Sequence, residues 1–204
     1  MTLTTLSVTD GLQTYPRESL FISCKRPNQL RWYVGILAAC LAACSSSSSR
    51  PEAIPQPSLE NVRNATVVGL FDDPVTLRYG RWEGKPYVAG GASRPTAGVI
   101  NDLSVVGDLD GDGNEELVAF LWSATGGSGT RNYIAVFANG PTGAENRSTV
   151  LIGDRVKLRA ARIADARIEV DVVEHGPDDA MCCPSVEATR VWRYDGRRLV
   201  ELPR

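Results

Sequence analysis

Between Val105 and Val118 the chain reads Val-Val-Gly-Asp-Leu-Asp-Gly-Asp-Gly-Asn-Glu-Glu-Leu-Val. Asp108, Asp110 and Asp112 stand at every second position, glycines follow the second and third, and Glu115 and Glu116 come directly after Asn114. Carboxylates this close repel one another unless something neutralises them. A hard cation does so by gathering six to eight oxygen ligands, and a short loop supplies them only by curling tightly around the ion. Alternate spacing aims the three aspartates the same way, and glycine permits the positive φ of such a coil. The expected ligands of a Ca²⁺ ion are therefore Asp108, Asp110, Asp112, Asn114 and Glu116. The plainer alternative is a tight Asp/Gly turn whose carboxylates are merely solvated.

Set against the EF-hand pattern with Asp108 first, the loop matches through Gly113, Asn114 and Glu116. It then fails at Ala119, where a bidentate glutamate is required. The residues beyond, Val118-Ala119-Phe120-Leu121-Trp122, are β-branched and aromatic, so they predict a strand and not an exiting helix. What remains is a short loop between strands, closed by Glu116. It resembles the D-x-D-G-D-G-x-x-[DE] loops of FG-GAP and VCBS-type extracellular β-proteins, a resemblance that implies calcium on these carboxylates. The motif occurs once, without the repeats of a propeller. A near-saturated oxygen shell leaves no open position for a substrate, so the expected role is structural and not catalytic.

The second chemically rich stretch is Glu174-His175-Gly176-Pro177-Asp178-Asp179-Ala180-Met181-Cys182-Cys183-Pro184-Ser185, which holds the chain's only histidine. Its two thiols are the last of five cysteines. In an oxidising compartment they pair with each other, pair with another molecule or stay reduced. The expected outcome is a Cys182–Cys183 vicinal disulfide serving as a structural turn. Three alternatives are a thiol redox pair, a soft-metal site of Cys182, Cys183 and His175 that lacks a fourth ligand, and a Ser185–His175–Asp178 triad. Three residues of one loop rarely reach triad geometry, so no catalytic residue is assigned.

The compartment is read from the N-terminal quarter. Lys25, Arg26 and Arg31 precede an apolar run from Trp32 to Ala43, too short to span a bilayer as a helix and suited to a signal sequence. Leu41-Ala42-Ala43-Cys44 then matches the lipobox of bacterial lipoproteins, and Leu37-Ala38-Ala39-Cys40 is a second copy. Cys44 is preferred because it leaves the longer apolar run and begins the mature chain at a linker. The resemblance implies a diacylglyceryl thioether on Cys44, a palmitate-bearing membrane anchor, and cleavage just before it. Serine after Cys44 resembles outer-membrane sorting, which in a two-membrane bacterium implies an outer-membrane, periplasm-facing address; in either case the expected location is the cell envelope. Residues 1–43 form the expected signal region; within it 1–24 read either as a cytoplasmic tail or, preferably, as a mis-assigned upstream start. Residues 44–60 are a Ser- and Pro-rich tether with an r.m.s. reach of roughly 20 Å.

Composition agrees with one soluble domain after the tether, with 43% hydrophobic and 23% charged residues. A net charge of −2 gives no reason to expect nucleic acid as a partner. Residues 61–204 are expected to form a single antiparallel all-β domain, a sandwich or open barrel. The predicted strands are 66–70, 75–82, 104–106, 116–122, 132–137, 148–152, 156–163, 167–174, 186–194 and 199–202. Val156, Leu158 and Ala160 alternate with Lys157 and Arg159, as do Ile168, Val170 and Val172 with Arg167, Glu169 and Asp171. Leu117–Trp122 and Tyr133–Phe137, apolar on both faces, are expected at the centre, joined by Gly126-Gly127-Ser128-Gly129 as a plain hairpin connection. Ala164-Asp165-Ala166 is expected to turn a hairpin.

From Leu151-Ile152-Gly153-Asp154 through His175-Gly176-Pro177 and Cys182-Cys183-Pro184 to Trp192-Arg193-Tyr194, the chain resembles a family of small bacterial lipoproteins. These pair a D-x-D-G-D-G loop with a late C-C-P turn. That resemblance implies a compartment and an architecture but no reaction. The sequence thus leads to a lipid-anchored envelope protein with a calcium-stabilised β domain, non-enzymatic, binding an unidentified envelope protein or ligand. The alternative is a thiol redox or metal-handling protein acting through Cys182 and Cys183.

Overall fold

The computed structural model describes residues 56–203, which belong to one compact unit. The signal region, Cys44 and most of the tether lie outside the described residues. One short helix, α1 (Leu59–Val62), is capped by the Ser58 hydroxyl, which accepts from the Asn61 N–H. All other regular structure among the described residues is antiparallel strand: β1 (Thr66–Val67), β2 (Val75–Thr76), β3 (Arg81–Glu83), β4 (Thr96–Gly107), β5 (Glu116–Ala124) and β6 (Arg131–Gly140), then β7 (Gly143–Asp154), β8 (Lys157–Ala164), β9 (Arg167–Glu174), β10 (Val186–Tyr194) and β11 (Leu199–Glu201). The all-β expectation holds. No helix among the described residues is long and apolar enough to cross a membrane.

Among the described residues three sheets form: β3-β4-β5-β6-β7, β11-β10-β9-β8 and the two-stranded pair β1-β2. The first is the middle layer, because β5 and β6 are apolar on both faces and each face must be covered. Leu117, Ala119, Leu121, Tyr133, Ala135 and Phe137 point to one side and pack against Val62, Val67, Val75 and Leu77 from α1, β1 and the segment around β2. Val118, Phe120, Ile134 and Val136 point to the other side and meet Ile168, Val170, Val172 and Trp192 of the four-stranded sheet. The two central strands were therefore legible as central from their composition.

Arg190 ties the second core together. Its guanidinium donates to both carboxylate oxygens of Glu201 and to the Ile152 carbonyl, and it lies 5.1 Å over the Trp192 ring. Such a fork needs the planar geometry of arginine.

Local corrections to the sequence reading have physical causes. The single strand expected over 75–82 is broken by Tyr79 (φ 53°) and Gly80 (φ 82°), which turn the chain so that Arg78 bridges Arg81. β4 begins at Thr96, well before the expected Ser104, and its pairing with β5 jumps between Val99 and Ser104. That bulge breaks the alternation and hides the first half of the strand. In β8 the register shifts at Arg159, so Leu158, Ala161 and Ile163 face the core while Ala160 is exposed. One extra residue reverses every later side chain. β9 keeps the expected phase, with Ile168, Val170 and Val172 buried.

The β8–β9 hairpin turns on Asp165 (φ 50°) and Ala166 (φ 54°), the conformation of a two-residue type I′ turn. Alanine in that region carries a Cβ penalty of about 1–2 kcal/mol. Ala166→Gly is therefore expected to stabilise the domain by up to about 1 kcal/mol in urea unfolding, the relief of that strain exceeding the added chain entropy. A loss of stability would show the turn to be unstrained.

Candidate functional site

The acidic loop connects β4 to β5 and is built by its own side chains. Asp108 accepts from Gly111 N–H at 2.7 Å and Gly113 N–H at 3.1 Å, one bond to each oxygen. Asp110 accepts from Asp112 N–H at 3.2 Å. Asp112 accepts from both the main-chain N–H and the amide of Asn114, at 2.7 and 3.0 Å. Gly111 and Gly113 have φ of 81° and 88°, and a Cβ on either would meet nothing within 4 Å. Glycine is needed there for the backbone angle and not for space.

Leu109 anchors the coil. Its side chain is buried in the core between the two large sheets, and its N–H donates to Glu116 Oε2 at 3.0 Å. Glu116 is itself only 4% exposed. Burial raises its carboxyl above the usual range, the Leu109 N–H opposes this, and Asp110, Asp112 and Asp108 raise it further. Carboxylate oxygens of Asp108, Asp110 and Glu116 all lie within 4.8 Å of one another. Asp112 lies outside that group of carboxylates, and its side chain accepts from the Asn114 amide. An all-oxygen, carboxylate-rich set suits a hard cation and not a soft one.

Two neighbours of the loop carried no signal in the sequence. The β10–β11 turn closes over it, with a Cβ on Gly196 falling 3.2 Å from Asp110 Oδ2. Asp195 shapes that turn by accepting from the N–H groups of Arg197 and Arg198. Just before it, the Tyr194 hydroxyl is shifted upward, first by burial and then by Asp110. On the other side, the Gln56 amide donates to Glu115 Oε2. Sequence spacing reports only ligands close in the chain, and these partners arrive through the fold.

The cysteine loop joins β9 to β10. Because β10 runs nine residues from Val186 to Tyr194, it separates this loop from the acidic one by roughly 27 Å. The sulfurs of Cys182 and Cys183 lie within disulfide distance, with a Cα–Cα separation of 3.8 Å. The keystone is Asp179. It accepts from the Gly176 and Ser185 N–H groups at 2.8 Å each and from the Ser185 hydroxyl, so it clamps both ends of the loop. These bonds, Gly176 first, hold its carboxyl below the usual range. His175 Nε2 pairs with the Met181 carbonyl, not with Ser185. The Ser185 hydroxyl is thus committed to Asp179, and the arrangement lacks the serine–histidine bond that a hydrolytic triad requires.

No family model, curated protein or solved structure matches this chain.

Asp179 and Glu116 couple to pH with opposite signs. A depressed carboxyl such as Asp179 adds stability above its unfolded pKa and loses it as pH falls through the folded value. A raised one such as Glu116 weakens the folded state when ionised and relieves it as pH falls. Asp179→Ala is expected to lower the melting temperature at neutral pH. The difference from the unsubstituted protein should shrink as pH drops below the ordinary carboxylate range, as followed by circular dichroism. A difference independent of pH would mean that the Asp179 charge does not close the loop.

Proposed function

We propose that the protein is a cell-envelope lipoprotein, fastened to a bilayer through Cys44, whose β domain is ordered by a calcium ion and serves as a binding or structural module. The observation that carries the calcium half is the convergence of Asp108, Asp110 and Glu116 at the mouth of the sheet sandwich. Asp108, Asp110 and Glu116 would hold the ion, and its charge would offset the burial and the carboxylate repulsion that raise Glu116. Leu109 passes that constraint to the core, since one residue gives both the N–H bond to Glu116 and a buried side chain. The address is supported by Leu41-Ala42-Ala43-Cys44 after a basic and apolar leader, followed by five serines. The resemblance to small lipoproteins with a D-x-D-G-D-G loop and a late C-C-P turn agrees with both halves.

Calcium at about 100 times its dissociation constant stabilises a folded domain by about 2.7 kcal/mol, which is roughly 5–10 °C in a domain of this size. The melting temperature of the protein should rise by that order from EDTA to saturating Ca²⁺, and Asp110→Asn should remove most of the rise. Identical melts with and without calcium would eliminate the ion. Separately, labelled palmitate fed to expressing cells should enter the protein, and Cys44→Ser should abolish both the label and membrane partitioning. Label persisting in that variant would eliminate the anchor at Cys44.

A further inference from the structure

We infer that the Cys182–Cys183 ring is an exposed redox centre, exchanging two electrons with a dithiol protein of its compartment, and not a staple of the fold. The inference stands apart from the calcium reading and uses a different end of the molecule. A disulfide stabilises mainly by closing a loop of the unfolded chain, and its effect grows with the length of that loop. Adjacent residues enclose no chain between them, so this bond has almost nothing to restrain. The work of closing the β9–β10 connection is done elsewhere. Asp179 grips Gly176 and Ser185. Two turns fold the segment between, through Asp179 N–H to Gly176 O and Cys183 N–H to Ala180 O. His175 adds its bond to the Met181 carbonyl. None of these contacts uses a sulfur atom.

Access and reactivity point the same way. Both cysteines are exposed, beside Met181 at 63%, while Pro184 immediately after them is buried and fixes the base of the tip. Disulfides ordinarily separate their Cα atoms by about 4.4–6.8 Å. At 3.8 Å this pair lies outside that range, and strained, exposed disulfides are the labile ones.

The exchange balances without a further reagent. A thiolate of the partner attacks one sulfur, the Cys182–Cys183 bond breaks, and a mixed disulfide forms. The released cysteine thiolate takes up a proton. The partner's second thiol loses its proton, attacks the mixed disulfide and leaves as the partner's own disulfide. This chain gains two electrons and two protons, and the partner loses them; the reverse sequence reoxidises it.

The test equilibrates the whole native protein in dithiothreitol redox buffers, traps thiols by alkylation and maps the peptide carrying residues 182 and 183. The expected result is complete, reversible reduction without denaturant. Melting of the reduced protein and of Cys182→Ser/Cys183→Ser should stay within about 2 °C of the oxidised form. Thioredoxin lacking its second cysteine should form a mixed disulfide with the unsubstituted chain that maps to this peptide, and none mapping there with the double variant. Three results would overturn the inference: reduction only after unfolding, a fall in melting temperature of more than about 5 °C on losing the bond, or no thioredoxin adduct at this peptide.

Discussion

Two strands that are greasy on both sides set the terms for this domain. β5 and β6 cannot face water on either face, so the sheet that holds them must become a middle layer. One cover is the four-stranded sheet, made by the chain after β7. The other is the short stretch from α1 to Leu77, which forms only the two-stranded pair β1-β2 and still buries Val62, Val67, Val75 and Leu77. With both faces sealed, loops at the two ends of the strands are left to carry chemistry. The acidic and cysteine loops are of this kind.

The two loops reach order by different means. In the acidic loop the side chains satisfy backbone N–H groups, yet their charges accumulate, and burial of Glu116 makes its ionised form costly. Such a coil holds its shape while favouring a counter-charge. In the cysteine loop one carboxylate satisfies three donors and faces no opposing charge crowd, so Asp179 is content as an anion. Two carboxylates a sheet's length apart are driven in opposite directions by their surroundings.

How much of this the sequence disclosed follows from which effects are local. Continuous apolar runs announced β5 and β6, and strict alternation announced β9. A bulge is a single residue of backbone geometry with little compositional trace, so the early half of β4 and the phase change in β8 stayed hidden. Tyr79-Gly80 was legible in principle, as a glycine interrupting a strand-like run. Within the acidic loop, spacing alone placed Asp108, Asp110 and Glu116 together, but it could not show that Asp112 and Asn114 would bond to each other. Asp178 and Asp179 are indistinguishable as letters. Only the return of the chain at Ser185 makes the second of them the clamp.

The contact between Gln56 and Glu115 has a directional meaning. It sets Gln56 against the acidic coil, and β10 carries the polypeptide from the sulfur-bearing tip back toward that same pole. Whatever pulls on the chain ahead of Gln56 therefore pulls at the carboxylate end. A pull applied there would load the acidic coil first and leave the sulfur tip, at the far end of β10, unstrained.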